Sequence, residues 1–418
     1  MERAQEAAFA LASLSVYKGI LNRTVPRAFY RLLRAYDAPP LEFAAAWGEF
    51  FSLLCNRGYS DDLAACISET VLFDENAFSR AAAAGREEQL PGQVMEAVKR
   101  DIGLLLEVSR LTPEQILQSY LHREELCGMG ATLPGWAVGR PVAQLAGKIE
   151  DCVAQMAAYY RRNGCGMYAR YRAFIWQDGG IEPVRYPDPI QLSSLKGYEV
   201  PRGRVLDNTL AFLEGLPANN CLLYGDRGTG KSSTVKAILN EYYSRGLRMV
   251  EMPKERLQDF PKLVDQIAPL PLCFIIYIDD LSFSQQDDTF AALKAVLEGG
   301  LAARPANALI YATSNRRHLL RERFSDREGD EVHRGDTIQE SLSLSDRFGL
   351  AVNFSVPGKE SYLEIVRALA LERGLEAQLP QLEAGAERWA LERGGRSPRC
   401  ARQYVALAES RLRRGLPL

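Results

Sequence analysis

Apolar and polar positions divide the chain into three stretches of different period. From Met1 to about Gly180, apolar residues recur at steps of three and four, the spacing of one helical face. That period predicts helices over 25–37, 41–56, 88–109, 113–126 and 142–162, with Leu104, Leu105 and Val108 on one such face. Glycines and two prolines interrupt it over 128–141, which reads as a loop. The run GGIEPVRYPDPIQLSSL, 179–195, holds three prolines and a double glycine and predicts a linker, placed at 181–195. The period then changes. Short, β-rich apolar runs at 221–224, 249–252, 273–278, 308–312 and 351–356 each precede a turn or a helical pattern. Strands alternating with helices predict a parallel sheet covered on both faces. From 358 onward the helical period returns over 359–373, 382–393 and 398–413. Gly374 is a stop signal for the first of these helices, and Ser397 followed by Pro398 is a cap and first-turn start for the last. The expected organisation is therefore a mainly helical domain over 1–180, a linker over 181–195, an α/β core over 196–357 and a helical region over 358–418.

One motif gives the α/β stretch a chemistry. Residues 221–233 read CLLYGDRGTGKSS, with Gly225, Gly230, Lys231 and Ser232 at the positions of a G-x-x-x-x-G-K-S phosphate loop. A strand precedes the loop and a helical pattern follows it. Glycines let the backbone curl so that successive N–H groups point at phosphate oxygens. The new helix adds its positive N-terminal end. The stretch Gly225, Asp226, Arg227, Gly228, Thr229, Gly230, Lys231, Ser232 and Ser233 is thus expected to cradle ATP. Within it, Lys231 reaches the β- and γ-phosphates and the Ser232 hydroxyl ligates Mg²⁺. Downstream, CFIIYIDDLS is an apolar strand ending in two carboxylates. Asp279 is expected to hold Mg²⁺, and Asp280 to orient and activate the attacking water.

Composition narrows the classes without naming a partner. The chain has 418 residues, 47% hydrophobic and 25% charged, with a net charge of −2. That length suggests about two to three domains with sizeable cores. The near-neutral balance steers the whole molecule toward neither nucleic acid nor an anionic membrane. The eight cysteines are scattered with no CxxC pair, which reads as reduced thiols in a reducing compartment. The longest apolar run, 270–278, is broken by Pro271, so a soluble cytoplasmic protein is expected. The three histidines, His122, His318 and His333, are dispersed. Arginines interleave with aromatics in YYRRNGCGMYARYRAFIW, 159–176, a mix that stacks on single-stranded nucleic acid or forms a core helix with snorkelling arginines; the second is preferred.

These residues resemble the AAA+ ATPases from Leu195 to the C-terminus. The resemblance implies a P-loop parallel-sheet core with a C-terminal helical lid. In ALIYATSNR, Asn315 matches the family's sensor 1. In SLSDRFGL, Arg347 matches the arginine finger, which would act on the nucleotide of a neighbouring subunit. In GGRSPRCARQ, Arg399 is the choice for sensor 2, with Arg396 and Arg402 as competitors. In LKGYE, Gly197 and Tyr198 would lie nearest the base. The chain is more similar still to a bacterial AAA+ family labelled domain of unknown function 815. That likeness is carried by PDPIQLSSLKG, LEGLPANNCLLYGDRGTGKSS, IDDLSF, ARPANALIYATSNRRHL and SLSDRFGL. The chain departs from most AAA+ proteins in Asp280, where Glu is usual, and from the closer family in Ser284, where Glu is expected. A shorter carboxylate reaches the water less easily, so slow hydrolysis is consistent with this pair.

The resemblance implies an ATPase, using ATP and Mg²⁺, that remodels or regulates a macromolecular partner, protein or nucleic acid. It also implies self-association, as in a ring, while the lack of an apolar run long enough to span a bilayer predicts no membrane. An ATP-dependent switch with little turnover and a nucleic-acid motor or loader are the alternatives.

Overall fold

The structure, a computed structural model, describes residues 3–58, 60–126, 128–281, 292–294, 296–297, 304–315 and 347–418. Ser284, the charged run 316–340 and Ser343–Asp346 of the finger segment lie outside those residues. The described chain divides into two compact units, Met1–Arg170 and Tyr171–Leu418.

The first unit is helical: α1 (Arg3–Ala12), α2 (Thr24–Arg34), α3 (Pro40–Cys55), α4 (Leu63–Leu72), α5 (Ala77–Ala83), α6 (Gly92–Val108), α7 (Pro113–Ser119), α8 (Ile149–Asn163) and α9 (Gly166–Arg170). Local chemistry fixes several of the starts. Asp62 caps α4 by accepting from Ala65 N, Asn76 and Ser79 form a capping box on α5, and Thr112 and Gln115 form another on α7. Aromatic side chains fill the core. Trp136 lies edge-on to Phe50 at 4.9 Å and tilted to Trp47 at 5.0 Å, and the indole N–H groups donate to Leu111 O and Pro134 O. The glycine–proline loop over 128–141 therefore contributes to the core instead of merely covering it. Buried Asp101 accepts from Ser15 N at 2.8 Å and Tyr17 N at 3.1 Å and pairs with Arg100 at 3.2 Å, which satisfies the charge.

The second unit is built on a sheet of seven strands among the described residues: β1 (Ala173–Gln177), β2 (Gly180–Pro183), β3 (Cys221–Gly225), β4 (Leu247–Glu251), β5 (Cys273–Ile278), β6 (Ala308–Ser314) and β7 (Leu350–Phe354). Their order across the sheet is β2-β1-β4-β5-β6-β3-β7, all neighbours parallel except the β1–β2 hairpin. This is the expected α/β class. Helix α10 (Glu199–Leu213) and helix α11 (Lys231–Tyr242) cover one face, where Val205, Phe212, Val235 and Ile238 pack on Leu223, Ile275, Tyr311 and Val352. Strands β5 and β6 are buried along their whole length apart from Cys273, which accounts for their unbroken apolar runs. Helix α12 (Phe260–Ile267) buries Phe260, Leu263, Val264 and Ile267. After β7 come three helices around their own core, α13 (Lys359–Leu371), α14 (Leu379–Glu392) and α15 (Pro398–Arg413).

Two readings need correction. Residues 173–183 form a hairpin on the edge of the sheet, where the sequence pattern suggested the end of a helical region and the start of a linker. Pro183 and the double glycine at 179–180 were the misleading signals, and both are compatible with an edge hairpin, where no further strand needs the missing N–H. The aromatic–arginine run 159–176 is not a single helix. Gly164 ends α8 with positive φ, and Trp176 lies in β1, its indole donating to Asp259 at 3.3 Å. Among the described residues no helix is long and apolar enough to cross a membrane.

Candidate functional site

A cavity of about 540 Å³ opens beyond the carboxyl ends of β3, β5 and β6, between the sheet and the last three helices. Ligands of parallel sheets bind at that edge. Of the expected site residues, Gly197, Tyr198, Arg227, Gly228, Thr229, Gly230, Lys231, Ser232, Ser233, Asp279, Asp280, Asn315 and Arg399 line it.

The phosphate loop begins where β3 ends. Gly225 has φ +128, and a Cβ there would stand 2.4 Å from Phe354 O, so only glycine fits against β7. Asp226 does not line the cavity; its Oδ2 accepts from Val356 N at 2.9 Å. Lys231 begins α11 and folds back over the loop. Its Nζ donates to Gly225 O at 2.8 Å, Asp226 O at 2.6 Å and Asn315 Oδ1 at 3.3 Å. Burial lowers the Lys231 pKa, while Asp226, Asp280 and Asp279 pull the other way.

The acidic strand end forms a second cluster. Asp279 Oδ1 accepts from Thr313 Oγ1 at 2.5 Å, Ser232 Oγ at 2.9 Å and Asp280 N at 3.1 Å. Crowding by protein, the largest influence, pushes the Asp279 carboxyl up. The hydrogen bonds from its neighbours outweigh this and hold it below the usual range, although the residue opens to solvent on its cavity side. Asp280 has φ +48, an uncommon conformation for a non-glycine residue. Its Oδ1 accepts from Asn315 Nδ2 at 2.6 Å. The Asn315 amide thus bridges Lys231 and Asp280. Ser232 and Asp279 offer hard oxygen donors side by side, which suits magnesium, a cation that keeps most of its other positions for water and phosphate.

The remaining walls come from two directions. Tyr198 stacks on Phe354 with ring centroids 5.4 Å apart, and its hydroxyl donates to Ser355 O at 2.6 Å. Gly197, at φ +73, lies against Ile365 of α13, where a Cβ would come within 2.9 Å of Cδ1. Lys196 pairs with Glu372 at the end of the same helix. From the other side, Arg399 N donates to Gly228 O at 3.2 Å. The structure separates the three arginines near α15. Arg396 is held by Glu387 through two bonds, 3.0 and 3.2 Å, and does not line the cavity, whereas Arg399 and Arg402 do.

Arg347 is not brought into this cavity. It lines a separate one of about 280 Å³ with Asn219, Asn220, Arg304 and Phe348, where β3 and β7 begin. Residues that sequence reasoning missed are Thr313, Arg202, Arg402's neighbour Gln403, and Phe354. Thr313 shares its face of β6 with Tyr311, two residues back, but its meeting with Asp279 depends on β6 lying beside β5. Arg202 had no sequence signal. It donates to Leu195 O at 2.8 Å, a contact made only when the chain folds back over α10.

A family model described as "Protein of unknown function (DUF815)" matches residues 169–412. Among solved structures, two variants of RuvB from Thermotoga maritima are similar at 15% identity, with TM-scores of 0.38 and 0.37. The matched region covers 54% of this chain and 66% and 67% of theirs. No curated protein matches the sequence.

Proposed function

The chain belongs to the DUF815 family, and from that membership and the cleft we propose a magnesium-dependent AAA+ ATPase that remodels or regulates a macromolecular partner. The observation that carries the reading is one chain of hydrogen bonds. Lys231, Asn315 and Asp280 are linked in series beside the Ser232–Asp279 pair, in a cavity roofed by the lid residue Arg399. In this reading the triphosphate follows the loop from Arg227 to Ser233, where backbone N–H groups and the start of α11 meet its charge. Lys231 neutralises the terminal phosphates, and Arg399 or Arg402 approaches from the lid. Ser232 and Asp279 hold magnesium, which when bound screens the charge that builds on the phosphate oxygens. Asp280 accepts a proton from the attacking water, and Asn315 orients that carboxylate. Water adds to the terminal phosphorus, the bond to the bridging oxygen breaks, and ADP and phosphate leave. Gly197 and Tyr198 cover the base. Arg347, outside its own cavity, serves a neighbouring copy of the chain in a homo-oligomer.

A second reading has its own support. Asp280 is one methylene shorter than glutamate and its oxygen is already bonded to Asn315. On this reading ATP occupancy sets the lid and turnover is slow. The test is equilibrium binding of labelled ATP to the full chain with magnesium, followed by phosphate release. Saturable binding that weakens tenfold or more in Lys231→Ala is expected, as is loss of turnover with retained ATP in Asp280→Asn. Absence of saturable ATP binding by the wild type would defeat both readings. Background turnover with tight binding selects the switch.

A further inference from the structure

Two tyrosines stand side by side in the sheet, Tyr277 of β5 paired in register with Tyr311 of β6, and both are buried. The Tyr311 hydroxyl is satisfied, 2.8 Å from Thr209 Oγ1 and 3.0 Å from Asn208 Nδ2. The Tyr277 hydroxyl completes no hydrogen bond of good geometry among the described residues. Yet it faces Ser232, Asp279 and Thr313, the three side chains of the acidic cluster. Asp279 is two residues further along and so on the same side of the pleat. A buried hydroxyl left unpaired is uncommon and unfavourable. The rest of β5 is Cys273, Phe274, Ile275, Ile276 and Ile278, so phenylalanine would match the pattern without that cost.

We propose that Tyr277 is a positioning residue that bridges Ser232 and Asp279 when both hold a divalent cation. This deepens the magnesium–nucleotide reading of the cleft and rests on it. In the structure Ser232 donates its proton directly to Asp279 Oδ1, which also receives Thr313 and Asp280 N–H. A cation shared by Ser232 and Asp279 needs a lone pair from each. The carboxylate oxygen must then shed a donor, and the Ser232 proton must find another acceptor. A phenol has one proton and two lone pairs. Among the described residues Tyr277 Oη holds neither its proton nor its lone pairs in a well-formed bond, so it accepts the proton that Ser232 withdraws from Asp279 and donates to the carboxylate oxygen that the cation leaves free. Thr313 cannot substitute, because its proton is already on Asp279. Groups that orient metal ligands in this way typically change metal affinity 10- to 100-fold when removed.

Tyr277→Phe keeps the ring and removes the hydroxyl. The experiment titrates Mg²⁺ into the full chain at a fixed, subsaturating concentration of a fluorescent ATP analogue, and repeats the titration with Mn²⁺ read by electron paramagnetic resonance. The variant is expected to need about tenfold more metal for half-saturation. Its affinity for the analogue in EDTA should stay within about twofold of the wild type. Equal metal requirements in the two proteins overturn the proposal and leave the nucleotide reading standing. So does an equal loss of affinity with metal and with EDTA, which would mean that the hydroxyl only shapes the fold. A wild type whose nucleotide binding ignores metal overturns the magnesium reading and the proposal together.

Discussion

Gly228 tests whether the lid's seat on the phosphate loop is part of the folded state. Both Gly228 and Gly230 have positive φ, +78 and +96. Alanine at either position therefore meets the left-handed penalty of roughly 1–2 kcal/mol. The two sites differ in what surrounds them. A Cβ on Gly228 would lie 3.0 Å from Ser397 Oγ and 3.2 Å from Arg399 Cβ, whereas nothing lies within 4 Å of one on Gly230. Ser397 caps α15 through Cys400 N, and Arg399 N donates to Gly228 O, so neither neighbour can retreat without moving the helix start. Overpacking of this kind costs about 1–3 kcal/mol more. For a unit of this size each kcal/mol shifts the melting midpoint by roughly 2–4 °C. Gly230→Ala should then melt about 2–8 °C below wild type, and Gly228→Ala at least about 2 °C lower again. The assay is differential scanning calorimetry of the full chain without nucleotide, following the transition that both variants move, since two units can melt separately. Midpoints for the two variants within about 1 °C of each other would refute the lid contact as a source of stability.

Two further predictions concern charge in the cleft. Arg396→Ala should leave ATP affinity within about twofold of wild type, because Glu387 already occupies that guanidinium, while Arg399→Ala and Arg402→Ala should each weaken it by about tenfold, the value of one charge-assisted contact; equal effects of all three, by isothermal titration, would undo the assignment. Asp279 has a folded pKa held below its unfolded value, so the stability it adds is present above about pH 4 and fades as pH falls through the folded pKa. The difference in melting midpoint between wild type and Asp279→Asn should be constant above about pH 5 and shrink below about pH 4, and a difference that stays flat down to about pH 3 would contradict the shift.

What could be read from the sequence was local. The phosphate loop is contiguous, so its glycines, Lys231 and Ser232 announce themselves by spacing. The acidic pair is legible because an apolar strand leads into it. Features made by register were not legible. Thr313 meets Asp279 only because β6 lies beside β5, and Tyr277 faces the cluster only because its side of the strand points that way. The hairpin at 173–183 was hidden for a different reason, since proline and glycine mark linkers and edge strands alike. The choice among Arg396, Arg399 and Arg402 had a partial signal. Residues 399 and 402 are three apart on one face of α15, whereas Arg396 precedes its cap. Arg202 and the Leu195 carbonyl it holds depend on a chain reversal with no sequence mark.

The hydrolase and switch readings share one physical core. The cavity has two walls, the sheet with its phosphate loop and the helices of the lid, and among the described residues they touch at several points. Arg399 N touches Gly228 O, Gly197 packs on Ile365, and Lys196 pairs with Glu372. A bound nucleotide biases the lid only by the contacts that differ between its arrangements. On the sheet side, the groups proposed to meet a terminal phosphate are tied together, because the Asn315 amide accepts from Lys231 and donates to Asp280. Its orientation is fixed by chemistry, since the amine can only donate and the carboxylate can only accept. On either reading, a phosphate that draws Lys231 off Asn315 removes one of the two bonds that hold the amide against Asp280. Sensing the terminal phosphate and freeing the carboxylate are then, on either reading, parts of one movement. In a hydrolase that movement starts the reaction that ends the bound state. In a switch it only reports occupancy, and exchange with solvent nucleotide must do the resetting. The readings thus agree on how ATP acts on the lid and part only on what removes it.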